Sequence, residues 1–79
     1  MDVVSKKMMF QQVPVDTPIE VKINNELLWI NGYLECGSAQ QIDRNDQTQD
    51  AIIIKSATYP TVEMWIPLVD ISAFRVDDI

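Results

Sequence analysis

The chain has 79 residues, 47% of them hydrophobic, and its six Lys or Arg against twelve Asp or Glu give a net charge of −6. This length predicts one domain near the lower limit for a self-sufficient core, so an additional stabilising device is expected. One cysteine and no histidine exclude an internal disulfide and the usual zinc sites, which leaves oligomerisation. The acidic balance argues against general binding to phosphate backbones.

Residues 1–15 are expected to form a short helix followed by a stiff connector. Asp2 is suited to cap a helix whose apolar positions Val4, Met8 and Met9 recur at roughly helical spacing. Two prolines then push the chain toward extended angles, so the helix ends before them.

From residue 16 to residue 76 the chain shows the alternation of apolar and polar residues that is typical of half-buried strands. The predicted strands cover residues 19–23, 27–36, 51–55, 62–66 and 71–76. Turn-forming residues separate them at 24–26, 37–50, 58–60 and 67–70. The pattern predicts an all-β fold of five strands after a short helix, with a frayed tail at 77–79.

Gly32 lies within the second predicted strand, where a glycine marks a bend or a close backbone approach. The same face of that strand carries Leu28, Leu34 and Cys36, which are expected to be buried. The segment 37–50 that follows is polar and is predicted to be a long loop.

Residues 64–76 place a tight corner between two short apolar strands. Pro67 ends the first strand because it donates no ladder hydrogen bond, and Asp70 can bond back to a nearby backbone N–H. Such a corner before a short last strand predicts a small barrel with apolar edges that attract a neighbouring subunit. The predicted subunit contacts are Met64, Ile66, Ile71 and Phe74.

Trp29 and Trp65 fall out of phase with the inward residues of their strands. We therefore expect them on the outer wall of the domain or in a subunit contact.

Five strands after a short helix, with a bent second strand and a corner before the fifth, make residues 10–76 resemble the Sm-like family, which includes bacterial Hfq. The resemblance is carried by residues 21–26, 32–35, 52–55, 64–66 and 71–74. It implies a strongly bent, five-stranded SH3-like barrel over residues 16–76 of one domain, 1–79. The short, acidic, solitary character of the chain also resembles that of phage-encoded proteins.

The family resemblance implies a homo-oligomeric ring in which the fourth strand of one subunit pairs with the fifth of the next. It also implies RNA binding near the pore, through the loop between strands two and three and through the corner. Sm proteins carry Arg-Gly at that corner and Hfq carries Lys-His, whereas this chain has Pro67-Leu68-Val69. The fold and the ring are therefore favoured over the family's RNA site.

The polar segment 40–47 is the chemically richest part of the chain. Its amides can meet base edges, and Arg44 can stack on a base or pair with a phosphate. Gln41, Arg44 and Asn45 are therefore the candidate contacts to single-stranded RNA, and a solvated surface loop is the alternative. A calcium site of the EF-hand type is not expected, because the required glycine and glutamate are missing.

No enzyme activity, metal or cofactor is expected. The thiol of Cys36 has no histidine to activate it, and a small barrel offers no cleft for a pair of carboxylates. Two other functions stay open: an SH3-like module that binds protein partners, and an acidic protein that inhibits by mimicking nucleic acid. No apolar run suits a membrane span and no signal-peptide core is present, so the expected location is the cytoplasm.

Overall fold

The computed structural model describes residues 2–24, 27–59 and 61–76. They form an N-terminal helix, five strands and a 3-10 helix of one turn, which we call the corner turn. In chain order these elements are α1 (Val3–Gln11), β1 (Pro18–Ile23), β2 (Trp29–Ile42), β3 (Thr48–Ser56), β4 (Glu63–Pro67), the corner turn (Leu68–Asp70) and β5 (Ile71–Val76). The predicted β-rich fold with one short N-terminal helix is confirmed.

The five strands form one antiparallel sheet in the order β4–β3–β2–β1–β5. The two edges of the sheet are therefore β4 and β5. Within the described residues no ladder joins these edges, so the sheet is not closed into a barrel. The predicted bounds of β1, β4 and β5 agree with the structure to within one residue. β1 and β4 keep the alternation of buried and exposed residues, whereas β5 interrupts it at a register shift with β1.

β2 is bent because different parts of it serve two neighbouring strands. Residues 29–33 pair with β1, whereas residues 32–42 pair with β3. The β2–β3 register shifts twice between residues 34 and 39, and such irregularities increase the local bend. β2 and β3 lie so close together here that a Cβ on Gly32 would collide with the backbone oxygen of Lys55. The predicted close approach at this glycine is confirmed.

The prediction of a long loop over residues 37–50 is wrong. β2 continues to Ile42 and β3 begins at Thr48, so only residues 43–47 connect the two strands. Most side chains at this end of the hairpin are polar or exposed. The alternation that reveals a half-buried strand is therefore missing, although the backbone is paired.

Both ends of α1 are fixed by specific contacts. The Asp2 carboxylate caps the helix by accepting a 2.8 Å hydrogen bond from the Ser5 N–H, and this bond lowers the pKa of Asp2. At the other end, a Cβ on Gly37 of β2 would collide with the carbonyl oxygen of Phe10. The helix end therefore lies directly on the bent strand.

The apolar residues that recur at helical spacing in α1 are not the ones that it buries. Lys6 and Phe10 are its buried residues, and the Phe10 ring packs on Phe74 with 4.6 Å between centroids. One fully buried aromatic ring outweighs three flexible or small apolar side chains in orienting a short helix. The three apolar residues at helical spacing are exposed: Val4, Met8 and Met9.

The core lies between α1 and the inner face of the sheet. Leu28 and Cys36, which the sequence assigns to it, are exposed and half-buried, respectively. Leu28 precedes β2, and Cys36 lies between the two register shifts, so neither keeps the inward phase. The buried cluster consists of Phe10, Ile19, Val21, Leu34, Ile52, Ile54, Ile66, Leu68 and Ile71.

The predicted corner after β4 is held from two sides. Lys6 Nζ donates a 3.0 Å hydrogen bond to the carbonyl oxygen of the buried Leu68. From the end of β1, the backbone N–H of Asn24 donates to the Asp70 oxygen at 2.7 Å and its Nδ2 donates to the Val69 oxygen at 3.0 Å. The corner turn therefore depends on both α1 and β1.

Parts of three predicted features lie outside the described residues. They are Asn25 and Glu26 of the first turn, Pro60 of the turn after β3, and the tail at 77–79.

Gly32→Ala should destabilise the protein strongly, because the added methyl group collides with backbone in the middle of the sheet. We expect the free energy of unfolding in urea to fall by at least about 2 kcal/mol. Ser38→Ala is the control, since Ser38 is exposed in the same strand and should change the value by less than about 0.5 kcal/mol. Equal stability of Gly32→Ala and the wild type would contradict the close approach of Gly32 to the Lys55 backbone.

Candidate functional site

The turn between β2 and β3 is organised by one carboxylate. Asp43 Oδ1 accepts hydrogen bonds from the N–H groups of Asn45 and Gln47, at 2.8 and 3.0 Å. Backbone bonds from Asp43 to Gln47 and from Asp46 to Asp43 close the turn. Asp46 then has a φ of 60°, as in a hairpin loop made of a turn followed by one left-handed residue.

The three RNA candidates do not have equal access to solvent. Arg44 and Asn45 are exposed at the tip of the turn. Gln41 is half-buried and lies opposite Gln49 in the β2–β3 ladder. Its Oε1 is buried without a hydrogen-bond partner among the described residues. The tip therefore presents Arg44 and Asn45 together, while the Gln41 oxygen is withheld.

The end of this hairpin extends beyond both neighbouring strands. The β1–β2 ladder reaches only Tyr33, and β4 pairs with β3 only from Ala51 onward. The residues beyond these points form a two-stranded ribbon. An ion pair of 3.3 Å between Lys7 Nζ and Asp50 Oδ1 links this ribbon to α1. Arg44 is therefore carried away from the body of the sheet.

Arg44 also differs in its surroundings from half of the cations. Among the described residues, Lys6, Lys22 and Arg44 form no ion pair with a carboxylate, and Lys6 is buried and donates to the Leu68 carbonyl oxygen instead. Lys55 Nζ lies 3.1 Å from Glu35 Oε2, and this contact raises the pKa of Lys55. The cations that do form ion pairs are Lys7, Lys55 and Arg75.

The outer face of the sheet carries the two tryptophans, as their phase in the sequence predicts. The Arg75 guanidinium carbon lies 4.1 Å from the centroid of the half-buried Trp29 ring, and its Nη1 lies 3.5 Å from Glu20 Oε2. Trp65 is 47% exposed on β4. An open cavity of about 270 Å³ lies beside the Arg75 cluster and is lined in part by Tyr33.

The edge strand β4 has backbone groups that pair with no strand of the described residues. The Ser56 N–H donates to the Val62 oxygen at 3.1 Å, so these two residues form a hydrogen-bonded pair. In an antiparallel ladder such pairs alternate with pairs whose backbone groups point away from the partner. The register of β3 and β4 then leaves the N–H and C=O groups of Glu63 and Trp65 pointing away from the sheet.

The free edge of β5 offers a matching set. The Leu34 N–H donates to the Thr17 oxygen at 3.0 Å. This bond determines which residues of β1 direct their backbone N–H and C=O groups toward β2 and which direct them toward β5. Through the register of β1 with β5, the N–H and C=O groups of Phe74 and Val76 point away from the sheet. Each edge can therefore accept a further strand.

The four predicted subunit contacts divide into two pairs. Ile66 and Ile71 belong to the core, with 5% and 1% of their surfaces exposed, so their side chains are not available to a second chain. Met64 and Phe74 are half-buried at the two edges. A charge at Ile71 would therefore unfold the chain rather than separate subunits.

A groove of about 340 Å³ between α1 and β5 is a feature that the sequence pattern does not predict. We call it the α1–β5 groove. The sequence contains one indication of it in Met9, an apolar residue at roughly helical spacing that lies in the structure at the groove. The lining residues are Lys6, Met9, Ile71, Ser72, Ala73 and Phe74.

In the parts of the chain that the structure describes, no cluster of three or more His, Cys, Asp or Glu could hold a metal ion. Over the same residues, no helix has the length and apolar character that crossing a membrane requires.

Comparisons with protein-family models, with curated proteins and with solved structures find no match. The two free edges and the exposed turn are therefore the basis for assigning a function.

Asp43→Ala should loosen the β2–β3 turn, because it removes the acceptor of two N–H groups. We expect a loss of about 0.5–1.5 kcal/mol in unfolding free energy and faster amide exchange at Asn45 and Gln47, measured by NMR. Asp46→Gly should instead increase the unfolding free energy by up to about 1 kcal/mol, since glycine adopts a positive φ without strain. Unchanged exchange at both amides in Asp43→Ala would contradict the role of the carboxylate.

Proposed function

We propose that the chain is a subunit of an Sm-like ring that binds single-stranded RNA weakly through its β2–β3 turns. β4 of one copy joins β5 of the next, and the assembled sheets take the strongly bent, SH3-like form that the sequence predicts. The proposal rests on the free edges for the ring and on the exposed turn for the RNA.

The strand order carries the ring proposal. It leaves two different edges, β4 and β5, each with outward N–H and C=O groups on alternate residues. A contact between two different surfaces repeats from copy to copy and closes into a ring when the rotation fits. Covering both edges also gives a chain of 79 residues the additional buried surface that small domains need.

The exposed turn supports RNA as the ligand. Each copy presents Arg44 and Asn45 at its tip, and a ring repeats this weak contact around its circumference. The net charge of −6 limits the number of phosphates that can be neutralised, so stacking and amide hydrogen bonds must supply most of the affinity. The corner turn adds little, because Lys6 beside it is buried and donates to Leu68.

Native mass spectrometry at micromolar concentration should show a closed oligomer whose mass is a small multiple of the 9.0 kDa chain. Glu63→Pro should weaken this oligomer, because it removes an outward N–H of the β4 edge without removing a bond to β3. One hydrogen bond is worth about 1 kcal/mol, so the dissociation midpoint should rise several-fold in concentration.

Glu63→Ala is the matched control, since it removes the same exposed side chain and keeps the N–H. A monomer at all concentrations would contradict the ring. Equal midpoints for Glu63→Pro and Glu63→Ala would show that the β4 backbone is not part of the contact.

Arg44→Ala should reduce the affinity for U-rich and A-rich oligonucleotides at low salt and leave the oligomer intact. The wild-type slope of log affinity against log salt should be shallow, with about −0.7 per neutralised phosphate. Lys22→Ala is the control, because Lys22 also forms no ion pair among the described residues, is not held by a backbone acceptor as Lys6 is, and lies away from the turn. The measurement is a fluorescence anisotropy titration of labelled oligonucleotides.

Tight binding that Arg44→Ala leaves unchanged would place the RNA site elsewhere. No binding to either oligonucleotide would contradict the RNA proposal and favour a protein partner. A monomer that binds a basic protein would favour mimicry of nucleic acid.

A further inference from the structure

The α1–β5 groove opens beside the edge that the proposed ring uses. Its lining residues Phe74 and Ile71 belong to β5, and Met9 lines it from the helix. The groove is mostly apolar, and its volume of about 340 Å³ gives room for one large side chain. A strand that joins β5 therefore meets a recess on the inner side of the sheet.

Trp65 is a large side chain that is only partly covered by the described residues of its own chain. It is 47% exposed on the edge strand β4, opposite Ile53 of β3. A tryptophan combines a large apolar surface with one N–H donor, which is why it is enriched in protein contacts. Its position on a free edge makes it the natural anchor for a second copy.

The alternation of the two strands determines where Trp65 would go. In an antiparallel pair, residues directly opposite each other carry their side chains on the same face of the sheet. On β4 the residue with outward backbone groups is Trp65, whose side chain lies on the outer face. On β5 the corresponding residue is Phe74, whose ring packs inward on Phe10. Joining these groups places Trp65 of one copy on the inner side of the next.

We propose that Trp65 of one copy fills the α1–β5 groove of the next copy and anchors the contact between them. This inference rests on the proposed ring and on antiparallel addition of the strand. All four pairings within the sheet are antiparallel, and the added strand continues that pattern.

Tryptophan fluorescence in a Trp29→Phe background reports on Trp65 alone. Its emission should lie at shorter wavelength in the oligomer and should shift to longer wavelength when dilution releases monomers. Met9→Lys, which alters the groove, should raise the dissociation midpoint at least several-fold. Met8→Lys is the matched control, since Met8 is exposed on the same helix and does not line the groove.

Disulfide cross-linking tests the position of Trp65 directly. All chains carry Cys36→Ser, and Trp65→Cys is mixed with either Met9→Cys or Tyr33→Cys, followed by mild oxidation. Only residues whose Cα atoms lie within about 7 Å can form the bond. The Met9 mixture should form cross-linked pairs, and the Tyr33 mixture should not, because Tyr33 lies on the outer face.

The failure of this inference is distinguishable from the failure of the ring. An oligomer whose Trp65 emission does not change on dilution, or that cross-links through Tyr33→Cys and not through Met9→Cys, overturns the groove assignment and leaves the ring standing. A monomer at every concentration overturns both.

Discussion

The close approach of β2 and β3 at Gly32 is the constraint on which the rest of the structure depends. Because Gly32 has no side chain, its backbone can lie against the backbone of Lys55, where a Cβ would collide. The first part of β2 pairs with β1 and its second part with β3. This division sets the strand order and leaves β4 and β5 as free edges. The sheet that leaves these two edges free therefore has no room for a Cβ at Gly32.

The helix is the second element that shapes this surface. Phe10 fills the core against Phe74, and Lys6 reaches the carbonyl oxygen of Leu68 through an otherwise apolar region. These contacts hold α1 beside β5 and leave a groove between them rather than a packed seam. The same contacts that stabilise the single chain therefore prepare a recess beside a free edge.

Much of the fold could be predicted from the sequence, because most strands bury one face and expose the other. Ile19 and Val21 of β1 and Ile66 of β4 follow this rule, so the bounds of these two strands agree with the structure. The two-stranded ribbon after residue 39 could not be predicted, because a paired strand whose side chains are polar or exposed does not show the alternation of apolar and polar residues. The burial of Lys6 could not be predicted from the sequence either, since a lysine is expected to be exposed to solvent unless a specific hydrogen-bond acceptor is known.

The candidate site was predicted only in part. The sequence identified Arg44 and Asn45 as accessible polar groups, and the structure places both at an exposed turn. It could not show that Gln41 is half-buried, because that depends on the unpredicted strand. The outward N–H groups of β4 and β5 depend on register, which a single sequence does not fix when turns and bulges intervene. The Sm-like assignment stays a prediction.

Pairing of the free edges is the central claim, and amide hydrogen exchange as a function of protein concentration tests it most directly. At concentrations that favour assembly, the outward N–H groups of Trp65, Phe74 and Val76 should become protected. Ile42 provides the control. Because Asp43 and Gln47 form a hydrogen-bonded pair, the N–H of the preceding residue Ile42 points away from β3. Ile42 lies on neither edge strand, so its N–H should stay in fast exchange at every concentration. Fast exchange of the β4 and β5 edge amides at every concentration would contradict the account.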